Sequence, residues 1–178
     1  NTILDVNAAG ASAAPYSGAG AISTLITAPL NGAGAITTTA AGAQAIQFGT
    51  SSSSSSGVFS GIISDGAGTM TVIRNGASGT QALTGLNTYT GATILSGGAV
   101  LQATVLANGG VASSIGASSN SASNLVFNGG TLQYQGANAS VFSLTGTPSA
   151  SIDRLFTLAG NGTIDSSGTF GSNVLQAT

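Results

Sequence analysis

The stretch that decides the fold is Val58 to Ala103, which reads VFSGIISDGAGTMTVIRNGASGTQALTGLNTYTGATILSGGAVLQA. Short apolar runs alternate there with clusters of Gly, Asn, Ser and Asp. No run is long enough for a helix, and the runs are rich in the Thr, Val and Ile that strands favour. The separators suit sharp bends, because Gly adopts positive φ without penalty and Asn tolerates it. The stretch therefore predicts short strands joined by tight corners.

Similar words recur along the whole chain, which indicates a repeat architecture. The word GAGAI at residues 18–22 returns at residues 32–36, and in altered form at residues 66–70 and 160–164. The word SGGAVLQ at residues 96–102 is echoed by NGGTLQ at residues 128–133, which has one residue fewer. A bulge would absorb the extra residue of the first copy.

The segment LTGLNTYTGATILSGGAVLQA, Leu83 to Ala103, resembles the passenger-associated repeat of bacterial autotransporters. The segments GGTLQYQG at residues 129–136 and DRLFTLAGNGTIDSSGT at residues 153–169 are similar to the repeat that commonly follows it. The resemblance covers residues 58–170 and implies a right-handed parallel β-helix outside the cell, used in adhesion, biofilm formation or surface display. It includes no translocator barrel, and residues 1–57 carry only the short Gly-Ala words.

We therefore predict an all-β fold, a right-handed parallel β-helix (β-solenoid) that forms a single elongated domain. Residues 1–57, rich in Ala, Gly and Ser, are expected to form N-terminal coils, and residues 58–178 the β-helix with the autotransporter-like repeats. The serine run Ser51–Ser56 is interpreted as a solvated loop at this boundary. Coils of about 20 to 25 residues would give roughly seven or eight turns, a rod about 35 to 40 Å long.

The composition limits the partners and the chemistry. Only 3% of the residues are charged, there is no Cys or His, and Arg74 and Arg154 are the only cations. Two arginines cannot neutralise a row of phosphates, so we expect no nucleic-acid partner. No apolar stretch reaches the roughly 18 residues of a membrane span, so no membrane insertion is expected. The chain begins at Asn1 without a signal sequence, which indicates a processed chain or a fragment.

Candidate catalytic residues are Asp65, Asp153 and Asp165, because two carboxylates are the minimum for glycoside hydrolysis. The favoured interpretation makes Asp65 and Asp165 bend residues that bind local amides. Asp153-Arg154 and Arg74 are predicted to be exposed charges of little energetic weight. A nucleophilic triad needs a base that the chain lacks. We therefore predict no enzyme, no cofactor and no metal site.

The predicted function is that of a secreted or cell-surface adhesive solenoid that associates end to end into fibres. Natural sheet proteins protect open edges with charges or covering elements, whereas the first and last strand-like segments here carry only one Asp. Contacts that repeat head to tail without closing produce filaments. The partner is then the chain itself, a head-to-tail homopolymer, and the predicted self-association residues are Ile3, Leu4, Val6, Val174 and Leu175.

Three alternatives remain open. The first is a lateral face that binds surface glycans through Tyr16, Tyr89 or Tyr134, or ice through three threonine words that begin at Thr37, Thr69 and Thr88. Those words are irregularly spaced, which disfavours the ice face. The second is a fragment of a longer autotransporter passenger. The third, the least supported, is a polysaccharide lyase or hydrolase on the same fold.

Overall fold

A computed structural model describes residues 3–5, 12–13, 21–135 and 151–166. In chain order the strands are β1 (Ile3–Asp5), β2 (Ser12–Ala13), β3 (Ala21–Ile22), β4 (Thr24–Ile26), β5 (Ala35–Thr37), β6 (Gly42–Phe48), β7 (Gly57–Phe59), β8 (Ile62–Ile63), β9 (Gly68–Gly76), β10 (Thr80–Leu83), β11 (Thr93–Gly97), β12 (Val100–Ala103), β13 (Leu125–Asn128), β14 (Thr131–Tyr134), β15 (Thr157–Leu158) and β16 (Thr163–Asp165). A 3-10 turn at Ala122–Asn124 is the helical element of these ranges. None of the described helical structure is long and apolar enough to cross a membrane.

The strands form three parallel sheets, which the chain visits in turn. Strands β1, β5 and β8 form a three-stranded sheet, β4, β6, β9, β11, β13 and β15 a six-stranded sheet, and β7, β10, β12, β14 and β16 a five-stranded sheet. After β10 the segment at Asn87 and Thr88 takes the place of a strand, since the Thr88 amide donates to the Ile63 carbonyl. The all-β prediction is confirmed, and the parallel sheets are compatible with a β-solenoid.

The length of a coil, which we define as the chain between two paired positions of one sheet, varies more than predicted. Val72 pairs with Thr93, 21 residues on, which agrees with the expected 20 to 25. Thr93 pairs with Leu125, 32 residues on, because an insertion, residues 104–121, lengthens that coil. The described residues give the largest sheet six strands, whereas roughly seven or eight turns were expected of the whole chain.

The pairing continues across the serine run. Strand β6, which precedes it, pairs with β9, which follows it, over seven residues from Gly42↔Gly68 to Phe48↔Arg74. The run itself lies outside the strands, as predicted for a loop. Its backbone is bound to the next coil, since the Ala77 amide donates to the Ser53 carbonyl at 2.8 Å.

The core lies inside the three sheets and is built from inward rows, one residue per coil. In the six-stranded sheet one row places Phe48, Arg74, Leu95 and Phe127 in register. Alternation along β14 predicts Leu132 and Tyr134 on one face and Gln133 on the other. Leu132 is buried, whereas Tyr134 and Gln133 are both half-buried. The buried cluster is Ile36, Ile46, Phe48, Phe59, Ile63, Met70, Val72, Leu83, Tyr89, Leu95, Leu101, Ala103, Ile115, Leu125, Phe127 and Leu132.

The six-stranded sheet is apolar on its outward face as well. Ala45, Ile73, Ile94 and Val126 form a second buried cluster there, and Ile22 of β3 belongs to it. Strand β3 pairs with β2 in an antiparallel hairpin. A sheet buried on both faces reads as a continuous apolar run instead of an alternating one, which explains the sequence Val72-Ile73 within β9.

The extra residue of the SGGAVLQ word lies in a corner. Val100 pairs with Thr131 and Leu101 with Leu132, so β12 and β14 keep a regular register. The Thr131 amide donates to the Ala99 carbonyl at 3.0 Å. The extra residue therefore lies in the corner between β11 and β12, and not in a bulge within a strand as predicted.

Glycine is required where two coils approach each other most closely. A Cβ added at Gly61 would overlap the backbone oxygen of Gly34 in the preceding coil, and backbone atoms cannot move aside easily. Gly42 differs, because a Cβ there would meet nothing within 4 Å and the residue has a φ of 82°.

These two glycines provide a matched test of coil stacking. We expect Gly61→Ala to lower the free energy of unfolding by about 3 kcal/mol or more, since overpacking against backbone forces the coils apart. Gly42→Ala should cost only about 1 to 2 kcal/mol, the strain of a left-handed alanine. Urea denaturation followed by circular dichroism measures both, and equal losses would contradict the stacking described here.

Candidate functional site at the ends and side of the stack

The predicted N-terminal association residues lie at an edge of the described stack. Ile3 and Leu4 belong to β1, the outer strand of the three-stranded sheet, which among the described strands pairs with β5 alone. Leu4 continues the inward row of Ile36 and Ile63, and 36% of its surface is exposed. Val6, together with Val174 and Leu175 of the predicted C-terminal site, lies outside the described residues.

The opposite end of the described stack exposes apolar side chains that the sequence analysis did not single out. Leu158 of β15 follows Phe127 in an inward row, and Ile164 of β16 follows Leu132 in another. Both would be buried by a further coil, yet they are 61% and 58% exposed. Phe156, 46% exposed, packs edge-on against Phe127 with ring centroids 5.6 Å apart. The inward rows thus end in an apolar surface.

The sequence did contain a signal for this surface. The word GNGTI at residues 160–164 repeats the earlier GAGAI words, whose final Ile22 and Ile36 are buried. Ile164 is therefore equivalent to a core residue. What the repeat could not show is that Ile164 lies on the outer strand of the described sheet.

The candidate catalytic carboxylates have separate structural roles. Asp65 accepts the Met70 amide at 2.7 Å, as the bend interpretation predicts, and also accepts the Thr90 hydroxyl at 2.6 Å. Asp165 lies in strand β16 and accepts the Gln133 side-chain amide at 2.8 Å, so the prediction that it is a bend residue is wrong. Among the described residues, no group of three acidic, His or Cys side chains could hold a metal ion.

The prediction that Arg74 is an exposed charge is wrong. Its side chain is 2% exposed because it occupies an inward position of β9. Its guanidinium donates to five backbone carbonyls, those of Phe48, Ser55, Asn75, Ser78 and Gly79. Burial lowers the pKa of Arg74 from its usual value, yet arginine remains protonated in proteins. The alternation Met70, Val72, Arg74 carried this signal, since all three residues share one face.

Arg154 is likewise buried, at 8% exposure, which corrects the prediction of a surface ion pair with Asp153. Its guanidinium binds the insertion, and the two shortest contacts are 2.8 Å to the carbonyls of Ala107 and Gly116. The other contacts are with the Ser118 hydroxyl and the carbonyls of Asn108 and Val111. Burial lowers the pKa of Arg154, and nearby Tyr89 and Asp153 act in the opposite direction. The Arg154 side chain thus holds the insertion at five points.

The tyrosines proposed as glycan platforms are placed differently. Tyr89 is fully buried, its hydroxyl lies 2.7 Å from the Thr93 hydroxyl, and burial raises the pKa of its phenol far above the usual value. Tyr89 therefore cannot serve as a platform, and that prediction is wrong. Tyr134 is half-buried, and Tyr16 lies outside the described residues.

The threonine words do not form one flat face. Thr37 pairs with Asp5 in the three-stranded sheet, and Thr69 pairs with Ala43 in the six-stranded sheet. Thr88 lies outside the strands. The structure therefore gives no support to an ice-binding row.

A polar cleft of about 460 Å³ opens on the side of the stack, where the insertion meets the segment that carries Asp153. Asp153 accepts the Gly109 amide at 2.7 Å, and its second oxygen lies 3.4 Å from the Asn120 side-chain nitrogen. The lining residues are Thr90, Gly109, Gly110, Ala117, Ser119, Asn120, Asn124 and Asp153. No sequence motif marks this cleft, since an insertion builds it.

Parallel sheets and coils of variable length define an all-β protein of repeated coils in the described part of the chain. The adhesin BmaC autotransporter of Brucella suis biovar 1 (strain 1330) is 46% identical to this chain over 100 residues. That match covers 54% of this chain and 2% of the adhesin, so the chain spans a small fraction of the relative's length. No protein-family model and no solved structure matches. The similarity confirms the resemblance to an autotransporter passenger and the predicted cell-surface or extracellular location.

The binding of the insertion by Arg154 can be tested with a conservative substitution. Arg154→Lys keeps the charge but offers its donors from a single point, so it cannot reach acceptors spread around the insertion. We expect amides such as that of Gly110 to exchange faster with solvent and the free energy of unfolding to fall by about 2 to 3 kcal/mol.

The matched control is Arg74→Lys, which should accelerate exchange at the corner around Ser53 and Ala77 and leave the insertion protected. Hydrogen–deuterium exchange read by mass spectrometry distinguishes the two regions. An insertion that exchanges at the same rate in Arg154→Lys as in the parent chain would show that another contact holds it.

Proposed function

We propose that this chain is a non-enzymatic, adhesive segment of an extracellular passenger, folded as a right-handed parallel β-helix, that associates end to end with further copies of itself. The apolar surface made by Phe156, Leu158 and Ile164 carries the association part of the proposal. The adhesive part is supported by the similarity to the Brucella autotransporter adhesin.

Both described ends of the stack are suited to pairing with another copy. Strands β15 and β16 are the outer strands of two parallel sheets at one end. At the other end β4 is an outer strand, and the segment at residues 30–32 lies against β7, since the Gly32 amide donates to the Val58 carbonyl. An outer strand presents unpaired amides and carbonyls to any extended chain that approaches it. A second copy placed head to tail would continue both sheets in parallel.

The side chains favour the same contact. Leu158 and Ile164 continue inward rows at one end, and Leu4 and the half-buried Ile26 do so at the other. Full burial of an exposed Leu or Ile side chain contributes about 1.5 to 3 kcal/mol, and these partly exposed side chains would each contribute a fraction of that. Because the two ends are different surfaces, the contact is heterologous and grows into a filament.

Charge substitutions on exposed residues test the association. In negative-stain electron microscopy and light scattering, we expect the parent chain to form filaments and Leu158→Lys to remain short or monomeric, since an ammonium group would be buried in the contact. Leu158 is 61% exposed, so its substitution should leave the monomer folded.

Val111→Lys is the matched control, because Val111 is 52% exposed but lies in the insertion on the side of the stack. It should form filaments like those of the parent chain. A parent chain that stays monomeric at high concentration would contradict end-to-end association. Filaments of undiminished length from Leu158→Lys would show that association uses another surface.

A further inference from the structure

The polar cleft beside the insertion, described above, is positioned by three successive coils. The Asp65 carboxylate of one coil accepts hydrogen bonds from the amide and the hydroxyl of Thr90 in the next coil. The insertion contributes Asn120, and the following segment contributes Asp153. Insertions in repeat proteins project from one face, which is often the binding face.

The walls of the cleft are held in place from within the molecule. Arg154, next to Asp153 in the chain, binds carbonyls on both sides of the insertion, from Ala107 to Gly116. Ile115 anchors the insertion in the core at 1% exposure. Asn87 connects the insertion to the preceding coil, since the Asn87 side-chain amide donates to the Ser114 carbonyl at 2.9 Å. A site fixed in this way loses little conformational entropy when a ligand binds.

The cleft combines hydrogen-bond acceptors and donors of the kind that recognise sugar hydroxyls. One Asp153 oxygen has, among the described residues, no partner closer than the Asn120 nitrogen at 3.4 Å, which is a weak hydrogen bond. Asn124 donates through its side-chain nitrogen to Ser119, and among the described residues its amide oxygen accepts no hydrogen bond and stays available as an acceptor. The volume of about 460 Å³ lies within the usual range of small-ligand sites.

The charges of the chain indicate what kind of sugar fits. The only side-chain charge on the lining residues is the Asp153 carboxylate. The Arg154 guanidinium points into the protein, where it donates hydrogen bonds to backbone carbonyls and to the Ser118 hydroxyl. Carboxylate or sulfate groups of an acidic glycan would meet a negative charge without a compensating cation, which disfavours them.

We propose that this cleft binds a neutral sugar unit of a surface glycan, with Asp153, Asn120 and Thr90 as the hydrogen-bonding residues. The inference rests on the adhesive part of the proposed function and not on end-to-end association. A single cleft of this type binds weakly, and repeated copies along a surface raise the overall affinity without any new contact.

The full 178-residue chain is applied to an array of neutral and acidic oligosaccharides, and a neutral hit is titrated by saturation-transfer NMR. We expect neutral sugars to bind and Asp153→Asn to weaken binding by about tenfold or more, since a charged acceptor is lost. Asparagine can still accept the Gly109 amide, which preserves the wall. Asn120→Ala, which removes an amide but no charge, should weaken the same ligand.

Asp165→Asn is the matched control, because it makes the same change on the five-stranded sheet, and it should bind as the parent chain does. Absence of any neutral ligand, preference for acidic sugars, or equal affinity of Asp153→Asn and the parent chain would each overturn the inference. If the chain forms filaments but binds no sugar, the sugar-binding inference fails and end-to-end association stands. If the chain binds sugar but stays monomeric, end-to-end association fails and the sugar-binding inference stands.

Discussion

The structure depends on the hydrogen bonds that each coil makes to the coils before and after it. A short strand such as β7 or β8 has no stability of its own, and its amides and carbonyls are satisfied only in a parallel ladder. The seven-residue pairing of β6 with β9 shows how fully neighbouring coils engage. The same dependence makes the ends exceptional, because an outer strand has a neighbour on one side only.

The two arginines follow from the same constraint. Corners and insertions leave carbonyls directed inward where no strand can pair with them, and an unpaired buried carbonyl costs free energy. Arg74 satisfies five such carbonyls at one corner, and Arg154 organises the insertion. A chain in which only 3% of residues are charged thus places both of its cations inside. These charges stabilise backbone instead of forming surface ion pairs.

Local features of the fold could be predicted from the sequence, and long-range ones could not. Strands and corners in Val58 to Ala103 follow from apolar runs and glycine-rich separators, and the inward position of Leu132 follows from alternation. The path of the insertion depends on Arg154, whose contact with Ala107 spans 47 residues. No local sequence pattern therefore predicts that path. The exposure of Leu158 depends on its being in an outer strand. The association roles of Ile3, Leu4, Val6, Val174 and Leu175 stay predictions.

The stacking of the coils is tested most directly by a distance along the five-stranded sheet. Val58 and Asp165 occupy the same outward row, separated by the rungs at Ala82, Gln102 and Gln133. The chain contains no cysteine, so spin labels can be attached at Cys introduced at these two positions. Four steps of about 4.8 Å give a narrow double electron–electron resonance distribution near 20 Å. A broad distribution centred at twice that distance would contradict the parallel stack.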